Sequence, residues 1–178
     1  MPSEPIASPA PGAAGAAGAV HDGGHFLTFL LGEALYAVDI RSVREIIQLG
    51  AMTAMPLMPA FVRGVINLRG AVVPVIDLHA RFGRPRAVPG RKSCIVLVEL
   101  QRDGERLALG LLVDAMSAVV HLPATALEPP PEFGAPVRRS FIQAMGRIGE
   151  RFAVVLAPEA AFDIDEMARL CEAAVAEQ

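Results

Sequence analysis

Gly64-Val65-Ile66-Asn67-Leu68-Arg69-Gly70, continuing into Ala71-Val72-Val73-Pro74-Val75-Ile76-Asp77-Leu78, is the most informative stretch of this 178-residue chain. Two apolar, β-branched runs, Gly64–Leu68 and Ala71–Asp77, flank Arg69-Gly70, where glycine supplies turn geometry. The reading is a β-hairpin. Pro74 cannot donate to a ladder, which predicts an edge strand or a bulge for the second run. Asp77–Phe82 reads as a closing helical turn, with Gly83 placed as its C-terminal stop.

The pattern recurs outward in both directions. Phe26–Leu31 and Ala34–Val38 flank Gly32-Glu33, a type II′ hairpin signal. Ser93–Leu100 and Arg106–Val113 flank Gln101-Arg102-Asp103-Gly104. Phe141–Ile148 and Arg151–Leu156 flank Gly149-Glu150, and Ala118–Leu122 is a further short strand. Between the first two hairpins, Asp39 is placed to cap a short helix with Ile40, Val43, Ile46 and Ile47 on one stripe, and Ser42-Val43-Arg44-Glu45 also fits a capping box that would start it slightly later. Ala51–Ala60 reads as an apolar, Met-rich loop, and Pro123–Pro136 as a proline-rich connection. Asp163–Glu177 reads as a C-terminal helix opened by Asp163 and Asp165.

The two halves resemble each other. Val38-Asp39 with Ser42 parallels Val113-Asp114 with Ser117, and Phe61-Val62-Arg63-Gly64 parallels Phe141-Ile142-Gln143-Ala144. The shared order of hairpin, Val-Asp, loop and hairpin predicts a duplicated small β-barrel. The subdomains would be about 25–87 and 93–157, divided by the basic segment Arg84–Lys92.

Composition narrows the function. A net charge of −3 disfavours a nucleic-acid binder. Mean hydropathy is high at +0.43, yet no run of about 18 uncharged apolar residues predicts a membrane span. The Ala/Gly/Pro-rich segment 1–24 has little with which to build a core and is expected to be a disordered tail. Cys94 and Cys171 do not make a disulfide scaffold, and a reducing compartment is the simpler expectation. Cys94 lies in an apolar strand and reads as an inert thiol.

Catalytic chemistry finds no foothold. His21, His25, His79 and His121 form no H-x-x-x-H spacing, there is no C-x-x-C, and no serine sits in a nucleophile elbow. Asp163, Asp165 and Glu166 are explained by helix capping, and Pro129–Pro131 by a stiffened loop. Neither a catalytic site, a cofactor nor a metal is expected.

The combination Phe61-Val62-Arg63-Gly64-Val65-Ile66-Asn67-Leu68-Arg69-Gly70 with Val73-Pro74-Val75-Ile76-Asp77-Leu78 resembles the CheW family of chemotaxis coupling proteins. Val43-Arg44-Glu45-Ile46 and Pro131-Glu132-Phe133 extend the likeness, which runs from about Phe26 to Leu170. His79 departs from it, since a basic residue is more typical there. The resemblance implies a mainly β fold: two SH3-like five-stranded barrels around a hydrophobic groove, with short helices and a C-terminal helix, over 25–172. It implies a cytoplasmic, non-enzymatic adaptor at receptor arrays. Its partners would be the chemoreceptor cytoplasmic tip and the regulatory domain of a CheA-type histidine kinase. Val43, Glu45, Ile46, Gly64, Asn67, Arg69 and Gly70 are the expected coupling surface, with Met52–Met58 as further groove candidates. An adaptor for pilus motility or diguanylate-cyclase control is the alternative.

Overall fold

The computed structural model describes residues 23–134, 137–163, 165–167 and 169. Of the expected tail 1–24, residues 1–22 lie outside them and Gly23 and Gly24 open the first strand, paired with Pro123 and Leu122; most of the expected helix 163–177 also lies outside them. Among the described residues eleven strands form, in chain order β1 Gly23–Leu31, β2 Ala34–Asp39, β3 Val43–Gln48, β4 Val62–Leu68, β5 Ala71–Asp77, β6 Cys94–Arg102, β7 Glu105–Val113, β8 Ala115–Pro123, β9 Leu127–Glu128, β10 Ile142–Ile148 and β11 Arg151–Leu156. Two short helices, α1 Leu78–Arg81 and α2 Pro158–Ala161, follow β5 and β11. The mainly β fold class holds. Its two sheets are open rather than closed barrels: one runs β8-β1-β2-β11-β10-β9, the other β3-β6-β7-β5-β4.

The hairpins follow their turn residues. Arg69 and Gly70, at φ 52° and 89°, and Asp103 and Gly104, at φ 51° and 80°, are left-handed pairs as type I′ turns require. Gly32 and Gly149 supply positive φ at the first position of their turns, as type II′ geometry demands.

The duplication is real, but its halves are not the sheets. By order and pairing, β1 to β5 correspond to β6, β7, β8, β10 and β11. Each repeat keeps its later strands and gives its first hairpin to the other sheet. The hairpin β1–β2 joins β8 and β11, while β6–β7 joins β3 and β5. The segments 25–87 and 93–157 are therefore repeats of sequence and not spatial subdomains. Each donated hairpin is joined antiparallel on one side, β1 with β8 and β6 with β3, and parallel on the other, Leu35–Ala37 with Ala153–Val155 and Val75–Asp77 with Gly110–Leu112. Corresponding bulges interrupt β4 between Val62 and Gly64 and β10 between Ile142 and Ala144.

Three cores result. A central cluster lies between the sheets and draws on both repeats, among its members Phe29, Tyr36, Val96, Leu111, Phe141 and Val154. Smaller clusters fill the far side of each sheet, around Phe26 and Val155 in one and Ile66 and Ile95 in the other. Strand β6 shows why: Val96 and Val98 face the central core, and Ile95 and Leu97 face the outer one. Burial on both faces turns an alternating pattern into a continuous apolar run. Cys94 packs at the rim of the central core, and burial pushes its thiol pKa up, as an inert cysteine requires.

Two sequence expectations are corrected. The helix expected through Val43–Ile47 is a single 3-10 turn, Ile40–Ser42, followed by strand β3. Asp39 does cap the turn, accepting from the Arg41 amide at 2.8 Å. Beyond it, the β-branched Val43, Ile46 and Ile47 favour extended backbone, and burial alternates residue by residue. Strand β5 is not an edge, since it lies between β4 and β7. Pro74 is tolerated because pairing with β7 spans only Val75–Asp77, so its missing N–H is not needed there. Within the proline-rich connection, β9 adds a two-residue strand against β10.

Helix α1 ties the repeats together. Its Arg81 side chain is 3% exposed. Arg81 Nε donates to the Ala161 carbonyl at 2.9 Å and Nη2 to Glu166 at 2.5 Å. Its guanidinium lies 5.5 Å from the Phe61 ring and 4.8 Å from the Phe141 ring, two residues at corresponding positions of the repeats. Asp163 caps the segment carrying Glu166, accepting from its amide at 2.9 Å. The Arg81 hydrogen bond is the largest cause holding the Glu166 carboxyl below its usual pKa.

Two predictions follow from this packing. Arg81→Ala should cost about 3 kcal/mol at neutral pH, because it strands the Ala161 carbonyl, leaves the Glu166 carboxylate with Arg138 alone and empties the space between two rings. Lys should not rescue it, lacking the fork. Glu166 stabilises the fold above its unfolded pKa, and that part is lost as pH falls through its lower folded pKa. The gap between wild type and Arg81→Ala in urea denaturation should therefore narrow below about pH 4. Second, a Cβ on Gly64 would sit 2.3 Å from the Thr53 carbonyl oxygen. Gly64→Ala should lower stability by at least about 2 kcal/mol in the same assay.

Candidate coupling surface

The signature stretch forms a seam on the five-stranded sheet. Strands β3 and β4 are its opposite edges, yet side chains and a loop bring them together. The chain leaving β3 returns along β4, where Thr53 and Val65 exchange two backbone hydrogen bonds of 2.9 Å each. This bridge needs Gly64, the buried residue whose Cβ would strike Thr53. Gly64 is thus a packing glycine and does not belong on a contact surface.

The turn between β4 and β5 is built by its neighbours. Asn67 Oδ1 accepts from the Gly70 amide at 3.0 Å, closing the turn from the side. Gly70 adopts the left-handed conformation at little cost, but Arg69 does so with a full side chain. For a non-glycine residue that costs about 1–2 kcal/mol. The left-handed Arg69 reaches across the seam: Nη1 donates to Glu45 Oε2 at 2.7 Å and Nη2 to Oε1 at 3.0 Å. The Arg69 side chain is 70% exposed and that of Glu45 29%. The Arg69 hydrogen bond is the main cause holding the Glu45 carboxyl below its ordinary pKa, opposed by partial burial and aided by the charges of Arg69 and Arg44.

At the end of the hairpin away from the turn, Asp77 is fully buried. Its carboxylate accepts from the Ala80 amide at 3.1 Å, the Ala87 amide at 2.8 Å and Arg63 Nη1 at 3.3 Å. Arg63 also donates to the Ala87 carbonyl at 3.0 Å. One carboxylate thus caps α1 and anchors the segment after it, and every hydrogen bond serves the fold. His79, on the same helix, lies 3.0 Å from Asp114 Oδ2, which also accepts from the Gly32 amide at 2.6 Å.

The expected surface residues divide into three groups. Glu45, Asn67, Arg69 and Gly70 meet at the seam. Ile46 is 45% exposed on β3. Val43 packs against the central core, while the bulge between Val43 and Glu45 turns Glu45 to the other face of the sheet, in register with Leu97 and on the side of Ile47. Of the methionines, Met52 joins the outer core, while Met55 is exposed.

Sequence reasoning held Leu57 only as part of the Met52–Met58 groove candidates and did not single it out. It is 47% exposed and sits at φ 65°, directly after Pro56. That is the third position of a type II turn, where glycine is the usual residue. A proline followed by a bulky residue at a glycine position was the available signal. Val72, opposite Asn67 across the hairpin, and Phe133 in the proline-rich loop are also exposed apolar side chains that the sequence did not single out as contacts.

Comparison with known proteins places these features in a family. The family description "CheW-like domain" matches residues 25–166. A probable chemotaxis protein CheW of Rhizobium etli is 38% identical over 140 residues, covering 79% of this chain and 88% of the relative. The chemotaxis protein CheW of Klebsiella aerogenes is 33% identical over 146 residues, covering 82% and 86%. The crystal structure of scaffolding protein TtCheW from Thermoanaerobacter tengcongensis superposes with a TM-score of 0.71 at 31% identity, covering 80% of this chain and 94% of that one. With its signature hairpin, duplicated sheets and nearly full-length relatives in agreement, this chain belongs to the CheW-like family.

Proposed function

We propose that this chain is a chemotaxis adaptor that couples chemoreceptors to a CheA-type histidine kinase. It works by binding and carries out no reaction of its own. Its relatives are named chemotaxis proteins, and the structural neighbour a scaffolding protein, which supports the reading. Among the described residues no helix is long and apolar enough to cross a membrane. The site of action is the cytoplasmic face of receptor arrays, reached through partners.

The observation that carries the proposal is the forked Arg69–Glu45 pair on a left-handed turn. A solvent-exposed ion pair is worth about 0–1 kcal/mol, which does not offset the conformational cost of Arg69 by a clear margin. Stability alone therefore gives little reason for arginine where Asn or Gly would sit more easily. A recognition role accounts for the choice. The guanidinium has donors beyond the two used by Glu45 and can reach the carbonyls or carboxylates of a helical receptor tip. Ile46, exposed on β3 next to Glu45 in the chain, adds an apolar side chain of the kind a helix seeks. The kinase's regulatory domain would meet the open strand edges and turns, which are available for pairing.

Two measurements test this. Arg69→Ala and Arg69→Asn should melt within about 2 °C of wild type, the Asn variant because it tolerates positive φ. Both should lose receptor control of kinase activity in reconstituted arrays. Receptor control at wild-type level in Arg69→Ala would overturn the assignment, and a large drop in melting temperature would make the residue structural. Arg69→Glu combined with Glu45→Arg separates a paired role, which it would partly restore, from a direct role of the guanidinium. Separately, carbon-13 NMR should find the Glu45 carboxyl titrating below the ordinary value of about 4.3, returning towards it in Arg69→Ala. The pair's contribution is present above the unfolded pKa and disappears as pH falls through the folded one.

A further inference from the structure

We propose that His25 and His121 form a two-histidine site for a divalent transition-metal ion. The residues are 96 positions apart in sequence, which hides them from any spacing rule. In the fold they are direct cross-strand partners on β1 and β8. Their neighbours Phe26 and Leu122 are buried in the outer core of the six-stranded sheet. Strand alternation therefore sends both imidazoles to the opposite face, where both residues are exposed. The ring centroids are 5.0 Å apart and the rings tilted by 55°.

That separation fits chelation. An ion about 2.1 Å from a ring nitrogen lies roughly 3.2 Å from that ring's centroid. Two centroids 5.0 Å apart then subtend about 100° at a shared ion, between the octahedral angle of about 90° and the tetrahedral angle of about 109°. Imidazole pairs suit zinc, nickel and copper. Among the described residues no group of three or more His, Cys, Asp or Glu converges, so water fills the other positions and the ion exchanges. Bound there, it clamps the outermost strand β8, which comes from the second repeat, to the hairpin donated by the first.

The test uses the full chain with nickel or zinc as the probe. Titration calorimetry should give one ion per chain. At a free-ion concentration tenfold above the dissociation constant, the melting temperature should rise by about 4 °C. His25→Gln and His121→Gln, both at exposed positions, should melt within about 1 °C of wild type in chelator. Each should abolish the metal-dependent rise. Absence of saturable binding, one ion shared by two chains, or a rise that survives in the double variant would overturn the proposal.

Discussion

Exchange of hairpins between the repeats carries this architecture, locked by antiparallel pairing of β1 with β8 and of β6 with β3 and by two parallel pairings, Leu35–Ala37 beside Ala153–Val155 and Val75–Asp77 beside Gly110–Leu112. Each parallel pairing joins a hairpin from one repeat to the last strand of the other. Neither repeat can complete a sheet alone, because each has given away its first hairpin. The exchange also explains why the largest core lies between the sheets. Its aromatic chain runs from Phe29 to Tyr36 at 6.2 Å, on to Phe82 at 5.7 Å and to Phe141 at 6.0 Å. Those four residues come from both repeats, so separating the sheets exposes all of them. Arg81 adds a polar tie at the same place, reaching Ala161 and Glu166 from the other end of the chain.

Within that frame, the signature motif is mostly architecture. Gly64 permits the Thr53 bridge, Asn67 closes a turn, and Asp77 satisfies two amides and a guanidinium in the dark of the core. These residues identify the fold because the backbone has no cheap substitute for them. Arg69 differs. Its turn would close more easily with asparagine or glycine, and its pair with Glu45 lies in solvent. It has little to give the fold, which is why the proposed receptor contact rests on it.

Much of this was legible in the sequence, for local reasons. The hairpins were marked by turn residues whose φ preferences are intrinsic to two or three positions. The helical turn at Asp77 carried its own cap and its stop at Gly83. Strand β3 was misread because a true capping residue, Asp39, stood before apolar residues spaced at three and four, a spacing that an alternating strand can also produce. Partition of the repeats into sheets was not legible, since parallel pairings between residues more than 30 positions apart leave no local trace. The same holds for the fork between Glu45 and Arg69: each residue was visible, but the strand edges had to curve together before they met.

The duplication offers an internal comparison for that fork. On the six-stranded sheet the strand corresponding to β4 is β10, paired with the edge strand β9, and an Arg–Glu pair joins those two strands, from Arg147 to Glu128. Arg147, however, sits on the strand at the position matching Asn67, and its guanidinium lies 5.7 Å from the ring of Phe152. The turn beside it uses Gly149 at φ 62° for the left-handed residue. Closing the seam with an Arg–Glu pair therefore does not require a strained arginine: the second repeat does it from a relaxed strand position. The first repeat places arginine at the left-handed turn position itself, with its side chain 70% exposed. Its position projects the guanidinium beyond the sheet edge, where a partner can reach it. An Arg–Glu pair made from a relaxed strand in one repeat and from a left-handed turn in the other is the contrast that favours the proposed binding role of Arg69.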